Sequence, residues 1–485
     1  MRGFTVSAIA LAIVSLSACN RTGDPLQAAA KAIGGTELNS LEFSGTGRWY
    51  QFGQAPNPDS AWPPFEVSRY TATIDYQVPA AHVQQVRKQV VEPGRARPTP
   101  VEQKPDQYVS GAVAWNLAPP QGAPAGTAPS AQPQPAAVDE RVAEIWSTPQ
   151  GFIKAAIANK ASTKAIEGGS EIAFTVGKLR FVGITDAQHQ LLRVQTLIDN
   201  PVLGDTPFET TFADYKDFDG VRFPAHITRQ LGGYPVLDLQ VSEVKANVAA
   251  DLKVPEDAGK VPPVAVTVET VAPGVLYLRG GSHHSVAIEQ QDHIIVVEAP
   301  LNEARSEAVI AKVKESIPGK TIRYLINSHA HFDHSGGLRT YVAEGATIVT
   351  HAQNEAYYRN AWAKPHSLNP DRLEKSKTAP VFETFKDRHV LTDGKREVVI
   401  HPIAASGHND AFALVYLPAE KILIEADAYN PLPATAPPLT EINPYTANLY
   451  ENIQRLGLDV QKITALHGPG VVSLTDLQAA VAPKS

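Results

Sequence analysis

The stretch Ser328-His329-Ala330-His331-Phe332-Asp333-His334-Ser335-Gly336-Gly337-Leu338 decides how the rest of the chain is read. Three histidines and one aspartate crowd into it, directly after the apolar run 322–326, which has the pattern of a buried strand. In an extended segment residues i and i+2 point to the same side, so His329 and His331 can share one metal ion. A turn after them lets Asp333 and His334 face a second. Gly336-Gly337 lets the chain turn close to the site before the next helix. Imidazole nitrogen and carboxylate oxygen suit Zn2+ best, with Fe or Mn as alternatives.

Around this stretch, segments 275–278, 285–289, 294–298, 322–326, 347–350, 398–403, 411–417, 421–425 and 463–466 have strand patterns. Segments 302–316, 336–342, 352–362, 371–375, 446–456 and 474–481 have helical spacing. Strands mixed with helices over 264–485 predict one α+β domain. The histidine string resembles the H-x-H-x-D-H signature of the metallo-β-lactamase superfamily, and the resemblance extends over 264–475. It implies an αββα sandwich. It also implies further ligands in chain order: His408 after Gly407, Asp427 after the strand 421–425, and His467 after the strand 463–466. Carried over by position, His329, His331 and His408 hold one metal, and Asp333, His334 and His467 the other. Asp427 stands where the family places an aspartate that bridges two metals. With a one-residue shift it matches a subgroup in which that aspartate does not bridge.

The implied cofactor is zinc, two ions, and the implied reaction is hydrolysis of an ester, lactone, thioester or amide by a metal-activated water. Asp333 is the catalytic candidate, orienting the nucleophile and passing its proton to the leaving group. Cys-ligand β-lactamases are excluded, because the region has no cysteine. A third-subclass, His-ligand β-lactamase is the enzymatic alternative. His283 and His284, between two early strands, are candidates for pocket lining. Asn409-Asp410 departs from the Thr-x-Gly-Ser that often follows the family's third histidine, and Asp410 is a candidate outer partner for a histidine ligand.

Upstream, 26–33 predicts a short helix stopped by Gly34-Gly35. Strand patterns fill 36–115 and resume at 171–248, with an Asp219-Gly220 hairpin turn. Between them 117–137 is Pro/Ala/Gln-rich and uncharged, predicting an extended loop, and 139–160 predicts a helix. This part resembles the half-barrel of periplasmic lipoprotein carriers, which implies a curved antiparallel sheet around a helix or two. A reading of another class follows from it: a lipid or lipoprotein binding module with a passenger metallo-domain. Polar, Pro-bearing 249–263 predicts a boundary. The expected organisation is therefore 1–18 signal peptide, 19–35 spacer and short helix, 36–250 β-rich domain, and 264–485 hydrolase domain.

The chain has 485 residues, enough for two or three domains, and its 43% hydrophobic and 19% charged content excludes wholesale disorder. A net charge of −7 argues against a nucleic-acid partner. One cysteine and one methionine exclude a disulfide framework and any site needing two thiolates. That cysteine sits at the end of a leader. Arg2 precedes the apolar stretch 4–16, which is shorter than the roughly 20 residues a spanning helix needs. Leu16-Ser17-Ala18-Cys19 resembles the bacterial lipobox. The resemblance implies cleavage before Cys19, lipidation there, and anchoring in the cell envelope, facing the periplasm from the outer membrane. The expected partners are a small-molecule substrate and the lipid anchor.

Overall fold

The structure, a computed structural model, describes residues 24–34, 37–120, 123, 126–433 and 441–482. The leader and Cys19 lie outside the described residues. Among those described, no helix is long and apolar enough to cross a membrane.

Residues 40–246 build a 13-stranded antiparallel sheet. Strands from Ser40–Tyr50 to Ser130–Pro133 run outward in chain order. Those from Ser162–Ile166 to Tyr234–Ala246 return, and the last pairs with the first. Alternation drives it: in Pro64–Asp75, residues Phe65, Val67, Tyr70, Ala72 and Ile74 are buried. A register shift between Val67 and Arg69 inserts the extra residue that keeps Tyr70 on the inner face. The helices Pro25–Ile33, Val138–Trp146 and Pro149–Ala158 contribute Ile33, Ile145 and Phe152 to the same core.

Two local expectations are corrected. The single helix predicted over 139–160 is two, because Pro149 restarts the chain at a helix N-terminus capped by Thr148, whose side chain accepts from the Gly151 amide. The loop predicted over 117–137 contains the strand Ser130–Pro133 and a 3-10 turn at Pro135–Ala137. That strand lies at the sheet edge, where a proline's missing N–H costs no ladder bond.

The C-terminal half holds two mixed sheets, of 7 and 6 strands, so the overall class is α+β. Tyr277, Ile288 and Val297 of the first share a core with Ile400, Val415 and Ile424 of the second. The first sheet's other face packs Leu278, Ile294 and Leu325 against Val309 and Val313 of Glu303–Ser316 and Leu338 of Leu338–Glu344. Strands covered on both sides are near-continuous apolar runs, as in the fully buried His293–Val297, where Ile294, Ile295, Val296 and Val297 follow one another. His293–Val297 pairs in parallel with Thr321–Ile326, and Ile422–Glu425 with Lys462–Ala465. Chain leaving the carboxyl ends of these strands therefore emerges at one edge of the sandwich, where functional loops of open sheets gather.

Candidate metal centre

After Thr321–Ile326 the chain stays extended through His331 and then closes one helical turn, Phe332–Ser335. The ring centroids of His329 and His331 lie 4.4 Å apart, and the turn brings His334 to the same distance from His329. Asn327 braces this loop. Its Nδ2 donates to the His329 carbonyl at 2.8 Å, and its Oδ1 accepts from the Tyr358 hydroxyl at 2.7 Å. A Cβ on Gly336 would fall 1.9 Å from the Leu301 carbonyl oxygen, which is why only glycine fits there.

His408, Asp427 and His467 arrive from the second sheet and meet this loop. Asp427 is the hub. Its Oδ2 lies 2.8 Å from His334 Nε2 and 3.3 Å from Nε2 of both His329 and His408, while Oδ1 lies 3.1 Å from His467 Nε2. Ligand atoms of His329, His331, His408 and Asp427 lie within 4.8 Å of one another, and so do those of His283, Asp333, His334 and His467. All seven residues expected to hold metal are thus brought together, in the expected grouping, with Asp427 between the groups.

The donor set fits a metal pair. The Nε2 atoms of His329 and His408 are 3.2 Å apart, and those of His334 and His467 are 3.0 Å apart. Two nitrogens on one tetrahedral zinc, each about 2.1 Å from it, stand roughly 3.4 Å apart. Nδ1 of His331 is buried without a hydrogen-bond partner among the described residues. The electrostatics agree. Burial and the neighbouring imidazoles hold His329 well below the ordinary histidine value and push His331 down to about 3, so both present neutral nitrogens. Burial also pulls His334 down, but Asp427, Asp333 and Glu298 outweigh it and hold this ring well above the ordinary value. Asp427 is held low by His334 and His408 against its own burial, and Asp333 by His334 and His283. The carboxylates crowded around His334 call for positive charge at this point, which a bound metal ion would supply.

Four of the five ligand rings, those of His329, His331, His334 and His467, are aimed by an outer partner. Fully buried Glu298, just past the strand His293–Val297, accepts from His334 Nδ1 at 2.6 Å, Ser328 Oγ at 2.7 Å and the Ser328 amide at 2.9 Å. Ser328 Oγ in turn lies 2.8 Å from His329 Nδ1, and the Ser282 carbonyl 3.2 Å from His467 Nδ1. His331 is reversed. Its Nε2 meets the Ala55 carbonyl at 2.9 Å, which turns Nδ1 toward the site. Ala55 belongs to the connection between Ser40–Tyr50 and Pro64–Asp75, so the N-terminal sheet reaches into the centre. In the same connection Gln54 Nε2 donates to Asp333 Oδ1 at 2.7 Å, and the Gly53 carbonyl accepts from the Phe332 amide at 3.1 Å. Neither Glu298 nor this connection was anticipated from the sequence. Glu298 did carry a signal, a charge ending a run of four buried apolar positions, Ile294–Val297.

The remaining candidates separate. His283 Nε2 lies 3.2 Å from Asp333 Oδ2, inside the second group. His284 is a clamp instead: Nδ1 accepts from the Gly280 amide and Nε2 meets the Gly468 carbonyl at 2.9 Å. Asp410 reaches no ligand histidine; it accepts from Asn57 at 2.7 Å and Arg95 at 2.8 Å, tying the His408 loop to the N-terminal part. Beside His331 and His408 lies a cavity of about 250 Å3 whose far wall includes Gln51, Gln54, Arg97 and Gln103.

The family model described as the metallo-beta-lactamase superfamily matches residues 278–439. The C-terminal region is a metallo-beta-lactamase superfamily domain. The chain is accordingly a metal-dependent hydrolase. Among curated proteins none matches. Similar solved structures include a metallo-beta-lactamase from Pontibacter korlensis, 15% identical, with a TM-score of 0.34 over 44% of this chain and 95% of that one. The mono-zinc form of FIM-1 from Pseudomonas aeruginosa is 19% identical, with a TM-score of 0.32 over 45% and 95%. A metallo-beta-lactamase from Hirschia baltica is 16% identical, with a TM-score of 0.34 over 46% and 100%.

Proposed function

We propose that the protein is an exported, lipid-anchored zinc hydrolase that opens an ester, lactone, thioester or amide with water. The observation that carries this reading is Asp427 at hydrogen-bond range of four imidazoles, two in each candidate ligand group. His329, His331 and His408 would hold one ion and Asp333, His334 and His467 the other, with Asp427 between them and His283 at the edge of the second group. Bound there, zinc supplies Lewis acidity, polarising a carbonyl and making water acidic enough to deprotonate near neutral pH.

The chain's own residues do the rest. Asp333 is fixed at both oxygens, by Gln54 at Oδ1 and His283 at Oδ2, so it can accept from an incoming water in one orientation. Its low proton affinity means it holds a proton at Oδ2 only in transit to the leaving group. Glu298, Ser328 and the Ala55 carbonyl fix the rings that carry the ions. The cavity beside His331 and His408 receives the substrate, and its polar far wall comes from the N-terminal sheet. A hub position for Asp427 favours this general hydrolase over a third-subclass β-lactamase, where the corresponding aspartate does not bridge. A complete donor set likewise favours an enzyme over a lipid-binding module with a passenger domain.

The test is a screen of the purified chain over aryl esters, lactones, thioesters and nitrocefin, with and without chelator. Chelator-sensitive turnover of one of the first three classes is expected. Turnover confined to nitrocefin would select the β-lactamase alternative over this reading, and no chelator-sensitive turnover at all contradicts the proposal. For location, globomycin-sensitive processing and recovery in the outer-membrane fraction are expected; release of the chain as a soluble periplasmic protein contradicts the anchor.

A further inference from the structure

A second enclosed space, of about 240 Å3, lies between the helix Val138–Trp146 and the N-terminal sheet and contains none of the metal-centre residues. The helix presents Glu140, Arg141 and Glu144 to it. On the strand Ala80–Gln89, the alternate residues Ala81, Val83 and Gln85 face it, as a period of two requires. Trp49 and Tyr70 are aromatic wall.

Two carboxylates and two guanidiniums line it, but only one pair of them is in contact. Arg229 Nη1 donates to Glu144, so that carboxylate has its cation. The Arg141 guanidinium is taken by neutral acceptors: the carbonyls of Tyr108 and Trp115, both at 2.8 Å, and Asn116 Oδ1 at 2.6 Å. Glu140 makes no hydrogen bond or ion pair among the described residues. Burial, and then the charge of Glu144, push its carboxyl up to about 7. Gln85 is only 7% exposed, and its Oε1 is buried with no partner. A buried acceptor such as Gln85 Oε1 left without a donor is destabilising. Both Gln85 Oε1 and the Glu140 carboxylate are acceptors, and among the described residues Glu140 has no cation in contact with it, Arg229 and Arg141 acting on it only from a distance.

We propose that this cavity binds a small alkyl or arylalkyl amine in its ammonium form. The ammonium donates to the Glu140 carboxylate and to Gln85 Oε1, and the apolar body lies against Trp49 and Tyr70. An ammonium has three donors and no acceptor, which suits two vacant acceptors. Its charge supplies what Glu140 lacks, and aromatic faces add attraction for a cation. A carboxylate ligand would meet Glu140 with like charge, and an alcohol would leave that charge uncompensated. This site is independent of the hydrolytic reading.

The purified full chain is titrated with phenethylamine, phenethyl alcohol and 3-phenylpropionate, followed by calorimetry and tryptophan fluorescence. Saturable one-to-one binding of phenethylamine is expected, with the alcohol and the anion weaker by about tenfold or more, the worth of a charge-assisted hydrogen bond. Glu140→Gln should lose a similar factor while its melting temperature and hydrolytic turnover stay unchanged. Gln85→Leu should lose a smaller factor, which keeps the test open if Glu140→Gln folds poorly. The proposal is overturned if phenethylamine does not saturate, if the anion binds as well, or if a folded Glu140→Gln binds like the wild type.

Discussion

Replacing Glu298 with glutamine should loosen the metal centre without unfolding the chain. The carboxylate accepts from His334 Nδ1, Ser328 Oγ and the Ser328 amide at 2.6–2.9 Å. An amide keeps one acceptor oxygen and turns an NH2 toward either His334 or Ser328. If it faces His334, that ring loses the partner fixing its tautomer. If it faces Ser328, the hydroxyl that orients His329 Nδ1 at 2.8 Å is disturbed instead. Either way one ligand ring, in one group or the other, is less well held. Loss of an outer partner of a metal-bound histidine costs about 10–100-fold in metal affinity, or roughly 1.4–2.7 kcal/mol. The assay is competition for zinc against a chromophoric chelator, with the cobalt(II) absorption spectrum reporting coordination and circular dichroism reporting the fold. In a Ser328→Ala background the substitution should cost less than it does alone, because the two act through one network. Zinc affinity within about threefold of wild type, in a folded Glu298→Gln protein, would refute the reasoning, since an outer partner is worth at least about tenfold.

Gln54→Ala should lower turnover by about tenfold or more by freeing Asp333 Oδ1, with melting unchanged; pre-steady-state kinetics checks it, and unchanged turnover counts against an orienting role. Gly53→Val should weaken docking of the N-terminal connection, because Gly53 has φ +73° and a Cβ there would lie 2.5 Å from the Phe332 ring; limited proteolysis within 51–63 should accelerate. Tyr358→Phe removes a 2.7 Å hydrogen bond to buried Asn327 Oδ1 and should cost about 1–2 kcal/mol in a denaturant titration; no change would mean that Thr350, at 3.3 Å, suffices as donor. Asp205 accepts from Ser367 and Leu368 across the two halves, and these bonds outweigh the upward push of burial and lower its pKa. Its contribution is therefore complete above the unfolded value of 3.8 and lost as pH falls through the lower folded value, so Asp205→Asn should flatten the acid limb of a stability–pH curve.

What the sequence disclosed about the centre depended on how local each feature is. His329, His331, Asp333 and His334 share one strand exit, so their spacing alone placed them on common sides. His408 and His467 were reachable because each follows a recognisable strand. The hub position of Asp427 was not, because it depends on how far the ends of two different sheets stand apart, and a one-residue shift changes the answer. Glu298 looked like an ordinary charged end to a buried strand. The Ala55 contact left no trace, since every residue type presents a backbone carbonyl, and it lies far from His331 in the chain. In the N-terminal part, the strand Ser162–Ile166 escaped notice because it is mostly exposed and has no apolar alternation. The long helix was read through Ser147-Thr148-Pro149, although that cap-and-proline sequence is itself a helix start.

The most direct test of the centre is metal content. The chain from residue 20 onward, purified without added chelator, should carry about two zinc ions, read by inductively coupled plasma mass spectrometry, as its two ligand groups require. Asp427→Ala, which removes the residue between the groups, should fall to one ion or fewer while retaining its secondary structure. A wild-type chain without stoichiometric metal, or an Asp427→Ala chain that keeps both ions and full turnover, would contradict the account.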